Sequence, residues 1–323
     1  MSKQIKSIFK LYTYPLEIKW RLTELCNYSC SYCIRKDSTQ KIQSEAIQEQ
    51  NALILNTVPD VISIINNRKL KTKINLIGGE VSLLDLPSIL KSLFSLQENN
   101  YISRISITTN FSRSINYYQT LITLCKKYNC EFTLTCSWHS EFMSLKEFID
   151  KVIKLKKESE IRISCETVSR ENNKDLVQEF INLCEQNNII YKIDTDFNSK
   201  DKSNLVTKVS DLSKGGYRII FDDNSEDHVK SLRLLLKQYG DDIAKHINTL
   251  DYFCSIDYDY ICIRENNFLS SEGCMCKKLK PLKEYKTPLK FKKCVHPCSL
   301  CGSMSISKSE EDLLNYVQNK QFN

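Results

Sequence analysis

Between Glu17 and about Phe197 the chain alternates two kinds of stretch, and that alternation restricts the fold more than any other feature. Short runs rich in Ile, Thr, Leu and Phe predict strands at Glu17–Thr23, Lys73–Ile77, Arg104–Thr109, Glu131–Ser137, Arg162–Glu166 and Ile189–Asp194. Between them apolar residues recur every three or four positions, as in Ile115, Tyr118, Leu121, Ile122 and Cys125, in Leu145, Phe148, Ile149, Val152 and Leu155, and in Leu176, Val177, Phe180, Leu183 and Cys184. That period is a helix burying one face. Gln43–Asn66 also reads as helical, with a break expected at Pro59. Strand–helix alternation implies βαβ units around a parallel sheet. Six strands are too few for a closed eight-stranded barrel, so the expected class is α/β, a partial (β/α)6 TIM-like barrel with an irregular, cysteine-rich C-terminal extension. The expected organisation is an N-terminal segment (1–16), the barrel (17–200), a connecting strand and helix region (201–253), a cysteine-rich domain (254–302) and a terminal helix (303–323).

Ligands of parallel α/β folds gather at the carboxyl ends of the strands. Directly after the first expected strand comes Cys26-Asn27-Tyr28-Ser29-Cys30-Ser31-Tyr32-Cys33, a CxxxCxxC run. Three thiolates this close together can hold three corners of an iron–sulfur cubane and leave the fourth without a protein ligand. A structural zinc site is closed by four ligands, and the next cysteine is Cys125. The second strand runs into Gly78-Gly79-Glu80, where two residues without Cβ let backbone come close to a partner.

CxxxCxxC followed by GGE at the end of the next strand resembles the radical S-adenosylmethionine (radical SAM) enzymes. The resemblance implies a [4Fe–4S] cluster on Cys26, Cys30 and Cys33, whose unique iron chelates SAM. It places backbone of Gly78 and Gly79 at the SAM amino group with Glu80 beside it, and Tyr32 near the adenine. Val81 stands where the family usually has proline. Polar residues at the other strand ends match positions that contact SAM or substrate: Asn110, Ser137, His139 and Glu166, with Asp194 and Asp196 beyond them. In that family the reduced cluster cleaves SAM to a 5′-deoxyadenosyl radical, which takes a substrate hydrogen. No side chain is assigned as a general acid or base, because the radical arises at the cluster.

Fifteen cysteines in 323 residues are too many to ignore. The first ten residues are too broken by charge for a signal peptide, and no apolar stretch approaches the ~18 residues of a membrane span. A cytoplasmic location is expected, with reduced thiols that ligate metal or fill the core. Cys125, Cys130, Cys136, Cys165 and Cys184 fall inside barrel elements and read as core thiols, and Cys262 lies in a strand-like run.

The remaining cysteines crowd the C-terminal part: Cys254, Cys274, Cys276, Cys294, Cys298 and Cys301. This region resembles the SPASM/Twitch auxiliary-cluster extension, although the full seven-cysteine string is absent. One auxiliary [4Fe–4S] cluster is expected, on Cys254, one of Cys274 or Cys276, and Cys298 with Cys301 or Cys294. A zinc knuckle is the alternative, since four thiolates do not distinguish the metals. Lys277–Lys293 holds eight lysines against one acid, Glu284, and so accounts for the net charge of +7. Such a run is either a solvated loop or an attraction for an anionic partner.

The expected activity is radical SAM modification of a peptide or protein. The alternative is oxidation or rearrangement of a small molecule such as a sugar or nucleoside. More remote is a non-catalytic, metal-bound nucleic-acid module, disfavoured because its basic residues are not interleaved with aromatics. Expected partners are a peptide or small-molecule substrate, anionic if the lysine run attracts it, and an electron donor of flavodoxin or ferredoxin type, with no membrane.

Overall fold

The structure is a computed structural model that describes residues 4–11, 14–33, 44–196, 199, 205–212, 216–239, 251–256, 258–269, 280–286, 288, 291–293 and 305–319. In chain order the elements are β1 (Ile5–Leu11), β2 (Leu16–Thr23), α1 (Ser44–Arg68), β3 (Thr72–Gly78), α2 (Leu86–Leu96), β4 (Ile102–Thr109), α3 (Ile115–Lys127), β5 (Glu131–Ser137), α4 (Leu145–Glu158), β6 (Arg162–Ser169), α5 (Lys174–Gln186) and β7 (Ile190–Thr195). There follow β8 (Lys208–Val209), β9 (Gly216–Phe221), β10 (Glu226–Val229), α6 (Leu232–Tyr239), β11 (Phe253–Cys254), β12 (Tyr260–Ile263), β13 (Phe268–Leu269), β14 (Lys280–Pro281), β15 (Lys292–Lys293), β16 (Ile306–Ser307) and α7 (Glu310–Asn319). No described helix is long and apolar enough to cross a membrane.

The chain divides into two compact units, one of residues 20–67 and 74–213, the other of 1–19, 68–73 and 214–323. In the first, strands lie in the order β2-β3-β4-β5-β6-β7-β8. The β4–β5, β5–β6 and β6–β7 pairs are parallel, and β8 closes the edge antiparallel to β7. This is a mixed α/β unit built on a parallel sheet.

The two faces of that sheet differ. Ile105 and Ile107, Phe132, Leu134 and Cys136, Ile163 and Cys165, and Tyr191 and Ile193 are buried on the face covered by helices. The opposite face carries Ser106 and Thr108, Thr135 and Ser137, Ser164 and Glu166, and Lys192 and Asp194, all half-buried. Strands of a parallel sheet are ordinarily apolar on both faces. A polar inner face is a departure that a polar ligand would explain.

Two local features differ from the sequence expectation. α1 runs unbroken through Pro59, which sits on its exposed side. The acceptor freed there belongs to Leu55, also exposed, so water can satisfy it, while buried Ile54, Val58, Val61, Ile62 and Ile65 anchor both halves. β6 continues three residues past Glu166 to Ser169, because Thr167 and Val168 keep pairing with β7 in register with Ile193 and Asp194. Glu166 therefore lies inside the strand, not at its end.

In the second unit β10-β9-β1-β16-β11-β15 form an antiparallel sheet. β1, a strand that nothing in the sequence pattern announces, pairs with both β9 and β16. One face buries Ile8, Tyr217, Ile219, Phe221, Cys254 and Ile306. On the other, Phe9 packs with Leu313 and Val317 of α7 and stacks on Tyr316 at 4.3 Å.

Candidate active site

The cysteine run is on the loop leaving β2, and the first residues of that loop lie against the turn that ends β3. Gly79 N–H donates to Thr23 O and Glu80 N–H to Leu25 O, both at 2.7 Å. A Cβ on Gly78 would collide with the carbonyl of Thr23, and one on Gly79 with the carbonyls of Glu24 and Leu25. The two glycines thus allow one backbone to approach another. Their partner in the structure is the root of the cysteine loop.

Glu80 is fully buried. Its Oε1 accepts from Ser82 N–H at 2.9 Å and from the Thr109 hydroxyl at 2.7 Å, and its Oε2 from Asn110 N–H at 2.5 Å. The carboxylate ties the end of β3 to the end of β4. Asn110 continues the connection: its Nδ2 donates to Asn27 Oδ1 at 2.8 Å, and Asn27 Nδ2 donates to Ser112 Oγ at 3.1 Å.

Cys30 is buried, Cys26 and Cys33 are half-buried, and among the described residues none of the three forms a disulfide. Burial raises Cys26 first, helped by the charges of Glu80 and Cys33, while hydrogen bonds from Tyr28 N–H and the Asn110 side chain pull it down. Burial pushes Cys30 up to about 12, with its two sister cysteines adding to the effect. The cysteines lie near enough to oppose one another's ionisation, and a bound cation would reverse that effect. A bound iron would deprotonate them.

Among the described residues no three His, Cys, Asp or Glu side chains converge on a point suited to one metal ion. A mononuclear site requires such convergence. A cubane does not, since each thiolate takes its own iron, and in number, kind and spacing the loop fits a cluster of that type.

His139 follows β5 and meets the loop from the far side. Its Nδ1 is shared between Cys30 Sγ at 3.2 Å and the Tyr32 hydroxyl at 2.8 Å. Burial lowers it to about 4, against the opposing pull of Glu141, so the ring is neutral near pH 7. Tyr32 stacks on His139 with centroids 6.0 Å apart, and the Arg170 guanidinium lies 4.5 Å over its ring. Tyr28 stacks on Phe142 at 4.3 Å.

Glu141 and Arg170 went unnoticed in the sequence. Glu141 accepts from Ser31 N–H at 2.9 Å and from its hydroxyl at 2.5 Å. Arg170 Nη1 reaches both Ser31 Oγ at 2.7 Å and Glu141 Oε1 at 2.8 Å. One acid from the β5 loop and one base from the β6 loop therefore clasp the middle of the cysteine run. Each stands in an ordinary polar loop, with no motif to mark it.

On the polar sheet face Ser137, Glu166 and Lys192 stand in register across three strands. Ser137 Oγ donates to Glu166 Oε1 at 2.7 Å, and Lys192 is ion-paired with Asp194. Of the residues expected at the site, Gly79, Glu80 and Asn110 bond to the start of the cysteine loop or to one another, Gly78 packs on Thr23, Cys33 N–H donates to Cys30 O, Cys30 and Tyr32 meet His139, and Ser137 and Glu166 are joined to each other.

Of the expected auxiliary ligands, Cys274, Cys276, Cys294, Cys298 and Cys301 lie outside the described residues. Cys254 is buried in the apolar core of the second unit, and Cys262 is buried in β12. Cys125, Cys130, Cys136, Cys165 and Cys184 are all buried free thiols.

No family model matches the chain. An S-adenosylmethionine-dependent nucleotide dehydratase of Psychrobacter lutiphocae is 30% identical over 117 residues, 35% of this chain and 38% of that protein. The match thus spans well under half of the relative's length, and the similarity is to an enzyme named for its dependence on S-adenosylmethionine.

Proposed function

We propose that the chain is a radical SAM enzyme acting on a small polar molecule of the nucleotide or nucleoside class. The observation that carries the reading is the cysteine loop: three cysteines on a loop whose root, Thr23 and Leu25, is held by backbone hydrogen bonds to a GGE turn at the end of the neighbouring strand. The sequential strand order β2 to β7 is compatible with the open (β/α)6 barrel that this reading expects. Cys26, Cys30 and Cys33 would hold a [4Fe–4S] cluster. With SAM bound, that group supplies a 5′-deoxyadenosyl radical able to take hydrogen from carbon.

The rest falls to the chain's own residues. Glu80, Asn110 and Asn27 fix the start of the loop, while Glu141 and Arg170 fix its middle. His139, Tyr32 and Tyr28 wall it with neutral, half-buried rings. Ser106, Thr108, Thr135 and Ser164, with the Ser137–Glu166–Lys192 row, offer hydroxyl and charged groups to a hydroxylated ligand.

Two things favour a small polar substrate over a peptide: this polar face and the name of the relative. The peptide reading rested on the auxiliary-cluster resemblance, and most of its ligands lie outside the described residues. An auxiliary cluster there, and an anionic partner for the lysine run, remain part of the proposal, as does an external flavodoxin- or ferredoxin-type donor.

The test is anaerobic reconstitution of the wild type and of the Cys26→Ala, Cys30→Ala, Cys33→Ala triple variant. The wild type is expected to cleave SAM under a strong reductant, and the variant to lose about four irons and the cleavage. 5′-Deoxyadenosine from the triple variant would overturn the reading.

A further inference from the structure

Phe111 follows Asn110 and is fully buried, yet its φ is +59°. Most of the other residues with positive φ are Asn or Asp, which tolerate the left-handed region. A phenylalanine there is a strained outlier that persists only when its surroundings over-determine it.

Those surroundings are specific. The Phe111 ring packs on Tyr118 at 4.8 Å and on Phe148 at 6.1 Å, and its N–H donates to Thr109 Oγ1 at 3.1 Å. The last contact is Lys151 of α4, whose ammonium donates to Phe111 O and lies 4.6 Å from the centre of its ring. Burial pushes Lys151 down, against the charges of Cys136 and Glu147. A half-buried lysine spent on one carbonyl is a costly way to hold a helix in place, since an apolar residue would pack there at no desolvation cost.

What the strained turn achieves is local. It curls the chain so that Ser112 N–H reaches Asn110 Oδ1 at 3.1 Å, an Asx-type turn that fixes the Asn110 carboxamide. So fixed, Asn110 Nδ2 points at Asn27, and the Asn110 side chain also reaches the Cys26 sulfur. We infer that Lys151 is a positioning residue for the cysteine loop, acting through the left-handed backbone of Phe111 to aim Asn110 at Cys26 and Asn27. The role of that loop rests on the radical SAM reading; the mechanical link from Lys151 to Asn110 does not.

The experiment compares wild type, Lys151→Met, which keeps the length and loses the donor, and Lys151→Arg, which keeps a cation. Amide hydrogen exchange of the metal-free protein is read over residues 110–112, with α3, α4 and β4 as internal controls. Lys151→Met should exchange about tenfold faster at 110–112 and normally in the controls, and Lys151→Arg should restore protection. Iron retained under a chelator challenge, read in parallel on reconstituted protein, should be lost faster from Lys151→Met.

Unchanged exchange at 110–112, or a rise spread evenly over α3, α4 and β4, would overturn the inference. If Lys151→Met does not fold, Lys151→Gln, which keeps a donor without the reach, takes its place with the same expectations. A wild type that binds no iron would refute the radical SAM reading, and the exchange data would still decide the role of Lys151.

Discussion

Gly79 donates its amide hydrogen to the carbonyl of Thr23 at 2.7 Å, which puts the GGE turn in backbone contact with the last residue of β2. The two motifs that stand out in the sequence, CxxxCxxC and GGE, are therefore one object in space. The glycines let two backbones touch, and the touching fixes where the cysteines emerge.

Gly79→Ala should show this directly. A methyl group at that position meets the carbonyls of Glu24 and Leu25, which are backbone and cannot rotate away. The turn must move, at a cost of about 1–3 kcal/mol for the overpacking. The expected outcome is a lower melting temperature together with weaker iron retention. Ser29→Ala, in the same loop but absent from this contact, should change neither. An alanine variant with wild-type melting and iron content would show that the close approach is unimportant.

Glu141 gives the loop a pH dependence. Burial alone would raise its pKa, but hydrogen bonds from the Ser31 hydroxyl and amide, with the charge and hydrogen bond of Arg170, hold it below its ordinary 4.5. A carboxyl depressed by folding contributes stability above its unfolded pKa and loses it as pH falls through the folded value. Protection of the loop should thus be constant near neutrality and decline as pH is taken below about 4.5. Glu141→Gln should remove about 1 kcal/mol at pH 7, after allowance for partial exposure, and flatten the decline. Hydrogen exchange at Ser31 in both proteins, from pH 7 to 4, measures it. Parallel acid profiles for both would remove Glu141 as the cause.

The βα alternation was legible because periodicity survives in each element: all six expected strands appear, one with the expected bounds and the others with ends shifted by at most three residues. β1 was not, since Ile5–Leu11 alternates too weakly, and its place is set by partners more than 200 residues away. Cys26, Cys30, Cys33 and GGE were legible as spacing. Glu141, Arg170 and Lys151 were not, because their importance comes from what they reach across the fold, and no local pattern records it. The purpose of Glu80 was legible only in part. A buried carboxylate after two glycines reads as a ligand-facing acid until its partners are seen.

The auxiliary site has its own discriminating measurement. Cys298→Ala with Cys301→Ala should lower iron by about four per chain if the C-terminal cysteines hold a second cubane, and should leave SAM cleavage by the first cluster measurable. Loss of about one zinc with iron unchanged would assign a zinc knuckle instead.

Glu80 separates two accounts of the GGE motif. In the structure Oε1 takes the Ser82 amide and the Thr109 hydroxyl, and Oε2 takes the Asn110 amide, so both oxygens are engaged by protein. Glu80→Gln keeps the shape but turns one acceptor into an N–H facing another N–H. If the Oε2 position becomes the amide nitrogen, the Asn110 N–H is stranded in a fully buried place. An orphaned buried donor costs about 1–3 kcal/mol. For a chain of this size each kcal/mol is about 2–4 °C of melting temperature, and that loss should appear in the metal-free protein. A Glu80 whose main work is to face the SAM amino group would behave otherwise: the metal-free melting temperature would hold, and SAM affinity of the reconstituted enzyme would fall. Thermal melts without metal, set beside SAM titrations with it, tell the two apart. The geometry here requires that the melt change first.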